Sequence, residues 1–189
     1  MNQMTRNKVI IVLLFICFSS CGIKTRYLRV DSGKVPVKGY VFKNSIYFND
    51  TIFKSINPTH LYKLKDSYYC DSTMNKIENK KNQYSNWILI LQFYKNGNIR
   101  RFAEKFSLPD PEKEGNRGIV YTKNKQIYID ICEAISNNVM VINTYRIDIK
   151  GEVLILKSEN PGARYAPSCF VFEKSDKLPD DWNSYKADW

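Results

Sequence analysis

Eight consecutive residues, Trp87-Ile88-Leu89-Ile90-Leu91-Gln92-Phe93-Tyr94, are apolar at nearly every position, and the chain then turns at Asn96-Gly97. A strand with one wet face alternates apolar and polar residues, whereas one that is apolar throughout must be covered on both faces. Asn-Gly accepts the positive φ angles of a tight hairpin, and Ile99–Phe102 supplies the returning strand. The middle of the chain is thereby committed to a sheet that needs packing material on each side.

Short period-two patterns accompany this hairpin along the chain. Tyr40–Phe42, Ser45–Phe48, Thr51–Phe53 and Leu61–Leu64 read as strands before it, and Ile119–Thr122, Gln126–Cys132, Val139–Ile149, Glu152–Lys157 and Cys169–Glu173 after it. Turns fall at Lys123-Asn124-Lys125 and Lys150-Gly151. The polar stretch Ser72–Asn86 reads as a long loop, as does Ser107–Arg117 with its two prolines and a glycine, and Leu178–Trp189 reads as a tail. The chain is rich in Tyr (13) and Phe (10), side chains that suit a half-buried pleated surface. At 189 residues it has room for one domain. The expected fold is mainly β, an antiparallel meander closing as a small barrel or a sandwich.

From Trp87 to Glu173 the chain resembles the lipocalin-like domains of small bacterial lipoproteins. The resemblance rests on an apolar strand ending in an Asn-Gly hairpin, then the pair Tyr145-Arg146-Ile147-Asp148-Ile149 and Gly151-Glu152-Val153-Leu154-Ile155-Leu156. It implies a fold and no particular ligand.

The amino terminus supplies an address. Arg6 and Lys8 precede ten uninterrupted apolar residues, Val9 to Phe18. A membrane-spanning helix needs about 20, whereas a secretory signal has an apolar core of about 7–15. Phe18-Ser19-Ser20-Cys21 resembles the lipobox of bacterial lipoproteins. The resemblance implies cleavage before Cys21 by signal peptidase II and a diacylglyceryl group on its sulfur. The expected organisation is a signal over 1–20, a lipidated Cys and tether over 21–39, and a β-rich domain over 40–189. No Asp follows Cys21, which resembles an outer-membrane destination. Lys24, Arg26 and Arg29 stand where surface-exported lipoproteins carry acidic residues, which favours the periplasmic face.

With Cys17 removed and Cys21 lipidated, Cys70, Cys132 and Cys169 remain in an oxidising compartment. They allow one disulfide in any of three pairings, or none. The formal charge of +10 falls by two when Arg6 and Lys8 leave. The lysines are scattered, as on a solvated face, and the compartment argues against nucleic acid. Partners are expected to be the membrane through the anchor, and a small apolar ligand or an envelope protein.

No catalytic set is legible. His60 is the only histidine, in Asn57-Pro58-Thr59-His60, without a nucleophile motif. No CxxC, phosphate loop or calcium loop occurs, so no metal or cofactor is expected. Asp110, Glu112 and Glu114 share one loop and are the candidates for a carboxylate-dependent envelope hydrolase. A protein that inhibits a partner by surface contact is the other alternative to a non-enzymatic binding domain. Asp50-Thr51-Ile52 and Asp71-Ser72-Thr73 resemble bacterial O-glycosylation sites, with Thr51 and Ser72 as acceptors.

Overall fold

The computed structural model describes residues 23–28, 33–77, 88–106, 108–135, 139–159 and 166–189. The signal, Cys21 and Trp87 lie outside these residues. A short hairpin of β1 (Thr25–Tyr27) and β2 (Lys34–Pro36) comes first. Eight strands follow: β3 (His60–Tyr69), β4 (Leu89–Phe93), β5 (Asn98–Ala103), β6 (Asn116–Lys123), β7 (Gln126–Ala134), β8 (Met140–Lys150), β9 (Val153–Ser158) and β10 (Ser168–Lys177). Each pairs antiparallel with the next, and β10 returns to β3, closing an up-and-down barrel. Of the two endings open to the sequence, the barrel forms.

The turns explain the register. Between β4 and β5 the loop is Lys95-Asn96-Gly97, with Tyr94 N–H donating to Asn98 O and positive φ at Gly97 alone, +84°. The expected tight turn is therefore one residue longer, and glycine carries the left-handed position at its end. A Cβ on Gly97 would also lie 2.4 Å from the Phe48 ring, so close approach adds a second requirement for glycine. Asn124 and Lys125 both take positive φ between β6 and β7, as a two-residue turn of matching twist demands. Gly151 does so between β8 and β9.

Period two sorts the strands into a lumen and an outer face. Leu91, Phe93, Ile99, Val120, Ile129, Ile131, Ile147, Leu154, Leu156 and Phe172 fill the lumen as one core. Nearly all of these are sealed from solvent, so this part of the barrel is solid. Ile52 and Ile56 join the same core, and Phe48 and Phe53 pack against it. Phe48, Ile52 and Phe53 come from the segments expected as strands at 45–48 and 51–53, and Ile56 follows them. These segments are instead two 3-10 turns, Lys43–Tyr47 and Asp50–Lys54, which plug the barrel at the end carrying the β4–β5 turn. Alternation over three or four residues does not distinguish a strand from a turn with one apolar side, and here the plug won.

The outer wall is clad. Leu178 and Trp182 cover Leu61, Ile90 and Phe102, which places the apolar run in β4 under cover on both faces. Trp189, Ala187 and Phe42 cover Ile119, Tyr121 and Cys132, with Ile23 and Tyr40 beside them. Residues 23–28 and 33–39, expected as a tether, pack on the barrel. Val35 is fully buried, and the Arg117 guanidinium donates to Pro36 O at 3.2 Å. A third cluster of Cys70, Met74, Ile155 and Cys169 lies where β10 meets β9 and the end of β3.

Candidate functional site

One set of inward-facing polar residues lies together at the end opposite the plug. On β5, Arg101 follows Ile99 on the inward face. On β7, Glu133 continues the inward series Ile127, Ile129, Ile131. On β8, Asn143 continues the series Ile149, Ile147, Tyr145. Three strands thus turn from apolar to polar at one level.

There Arg101 Nη2 lies 2.8 Å from Glu133 Oε1. The Tyr145 hydroxyl donates to the same oxygen at 3.3 Å, and the Asn143 amide donates to Oε2 at 2.9 Å. The Glu133 carboxylate therefore sits among a guanidinium, a phenol and an amide, each contributed by a strand other than its own. The Arg101 and Glu133 side chains are only 15% and 14% exposed. Below them, Leu91 is the register partner of Arg101, and Phe170 meets the Tyr145 ring edge-on at 5.9 Å.

Burial and charge act together on these groups. Burial disfavours the charged guanidinium, but the adjacent Glu133 outweighs it, and the Arg101 pKa is held above its ordinary value. Burial pushes the Tyr145 phenol up to about 12, so at neutral pH it is a protonated donor. The set offers strong donors to an anionic oxygen, and one carboxylate already occupies it.

The residues singled out by sequence lie elsewhere. His60 is half-buried at the start of β3, its Nδ1 3.1 Å from Thr59 Oγ1. The three carboxylates of the β5–β6 loop stand on the outer wall, each engaged locally. Asp110 accepts from Glu112 N–H, Glu112 binds Arg26 and Arg117, and the buried Glu114 accepts from Leu108 N–H beside Arg100. Cys70 and Cys169 form a disulfide, while Cys132 is buried and free, its thiol pushed up to about 12 by burial. Thr51 and Ser72 are exposed. Among the described residues no group of His, Cys, Asp and Glu is placed to hold a metal ion.

No protein-family model, curated protein or solved structure matches this chain. The functional reading therefore rests on the chain's own residues. The lumen quartet was not singled out from the sequence, although a signal existed. An inward series that reads Ile, Ile, Ile and then Glu133, beside one that reads Ile99 and then Arg101, marks the level at which the lumen becomes polar.

Proposed function

We propose that the chain is a membrane-anchored lipoprotein of the cell envelope, lipidated at Cys21 and held at the periplasmic face of the outer membrane. Its barrel is a non-enzymatic domain that binds a ligand or a partner. The observation that carries the binding role is the inward-facing Arg101–Glu133 pair with Tyr145 and Asn143, set above a solid apolar core. A buried ion pair adds little to stability compared with apolar packing of the same volume, so its presence in a lumen favours a task other than holding the fold.

Two features support the compartment and the non-catalytic role. The Cys70–Cys169 bond belongs in an oxidising space. In the quartet, a guanidinium paired with a carboxylate and a phenol with a pKa near 12 are poorly matched to proton transfer at neutral pH. A protein partner is the second reading, favoured by Ile135 and Val139, which are exposed at the β7–β8 turn beyond Glu133. Exposed Thr51 and Ser72 are the proposed glycan acceptors.

Two measurements test this. Wild-type protein should incorporate labelled palmitate and fractionate with the outer membrane, and Cys21→Ala should accumulate as an unlipidated precursor. Wild-type protein found soluble and unlabelled would end the lipoprotein reading. Cross-linking in intact envelopes, followed by purification and mass spectrometry, should recover a bound molecule or protein. Recovery of the bare chain alone would count against the binding role.

A further inference from the structure

We infer that the lumen quartet is a carboxylate-binding site in which Glu133 acts as an internal stand-in for the ligand. This rests on the reading of the barrel as a binding domain and names the ligand class. The geometry supplies the argument. Arg101, Asn143 and Tyr145 come from β5 and β8, and all three point polar hydrogens at one carboxylate inside the barrel. Arg101 has five N–H donors in a planar fork, the arrangement best matched to a carboxylate. Its contact with Glu133 is through Nη2. The protonated Tyr145 phenol is a donor and cannot repel an anion.

Depth defines the rest of the ligand. Leu91, Ile99 and Ile131 below the quartet are sealed from solvent, so no tail can pass beneath it. The carboxylate enters first, from the strand ends near which Arg101 and Glu133 lie. Glu133 is the penultimate residue of β7, beside those strand ends. A ligand carboxylate competes with that of Glu133 for the same donors.

Competition makes a distinctive prediction: removing the internal carboxylate should improve binding. The full chain purified in detergent is titrated with hexanoate, with hexanamide as the uncharged control, and with N-acetylalanine, following ligand resonances by saturation-transfer NMR. Glu133→Gln keeps the size and hydrogen-bonding reach of the side chain. It should bind hexanoate or N-acetylalanine about tenfold more tightly than wild type, the worth of one charge-assisted contact. The tighter of the two tells whether a hydrocarbon or a peptide bears the carboxylate. Arg101→Lys should weaken binding, and Glu133→Gln/Arg101→Met should abolish it. Circular dichroism identifies any variant that fails to fold, and Arg101→Lys is the milder probe if the double variant does. The inference is overturned if folded Glu133→Gln binds neither acid more tightly than wild type, or if hexanamide binds as well as hexanoate. A molecule recovered from cross-linked envelopes that lacks any carboxylate would overturn it while leaving the binding role intact.

Discussion

Arg100 on β5 and Arg117 on β6 are register partners on the outer wall of the barrel, and neither exposes any of its side chain. Like charges directly opposite one another in a sheet repel, and two buried cations need compensation. Arg100 lies 4.0 Å from Glu114, donates to Leu108 O at 2.9 Å, and stacks 4.2 Å from the Phe102 ring with Trp182 beyond. Arg117 pairs with Glu112 at 2.9 Å and lies 4.9 Å from the Trp189 ring. The two arginines thus hold the loop after β5 and both tryptophans of the tail against the barrel. Arg100→Met should cost about 3–5 kcal/mol, because it strips a fully buried carboxylate of its cation. Arg100→Met/Glu114→Leu should recover much of that loss. Urea denaturation of the three proteins measures both effects.

The turns predict opposite signs for two substitutions. Gly97→Val forces a β-branched residue to positive φ and drives its Cβ into Phe48. A loss of about 1–3 kcal/mol is expected from the backbone alone, with the clash in addition. Lys125 already sits at φ +63° beside Asn124 at +52°, where glycine is the preferred second residue. Lys125→Gly should therefore stabilise by about 0.5–1 kcal/mol, or a rise of roughly 1–4 °C in melting temperature for a chain of this size. A lowered melting temperature for Lys125→Gly would contradict this turn geometry.

The disulfide joins residues 99 apart in sequence. Cross-links over loops of this length restrict the unfolded chain strongly, and about 2–4 kcal/mol should be lost in Cys70→Ser/Cys169→Ser. Differential scanning calorimetry of that variant and of the wild type under reductant should agree. A reduced wild type as stable as the oxidised form would show that the bond adds nothing.

Alkaline pH should destabilise the domain in two stages. Cys132 and Tyr145 both have folded pKa values raised to about 12, from ordinary values of 9.0 and 10.0. The unfolded chain releases these protons first, so their contribution is complete below pH 9 and is lost as pH rises towards 12. Cys132→Ala should remove the part of the decline that begins near pH 9 and leave the part that begins near pH 10. Melting temperatures across pH 7 to 11 for the two proteins separate the stages. A decline already steep between pH 7 and 8 would point to other groups.

The part of the fold legible in sequence was the part with long alternation and glycine or asparagine turns. The hairpins β4–β5, β6–β7 and β8–β9 follow from Asn96-Gly97, Asn124 and Gly151 together with the isoleucine series of β7 and β8. The plug was illegible because Phe48, Ile52, Phe53 and Ile56 act through where they dock, and spacing over so few residues does not encode docking. The hairpin at 25–36 was hidden for the same reason. Its buried residues among those described, Leu28, Val35 and Pro36, are too few to form a pattern and gain cover only from the barrel wall. The quartet was half legible. Parity alone places Arg101 and Glu133 inside, but that β5, β7 and β8 bring them to one height depends on the stagger of a closed barrel.

Closure of β10 on β3 carries a hazard for the chain before it is complete. This seam is also irregular, with two register shifts along the β3–β10 pairing. Until β10 arrives, β3 offers a row of unpaired N–H and C=O groups, and distant pairings of this kind form slowly. A newly made chain therefore presents an open edge that another copy could extend, strand on strand. The Cys70–Cys169 bond pins the far end of this seam, since Cys70 follows β3 directly and Cys169 lies in β10. Under reducing conditions the first symptom of its loss should be intermolecular assembly through β3, with clumping of the protein well below its unfolding temperature.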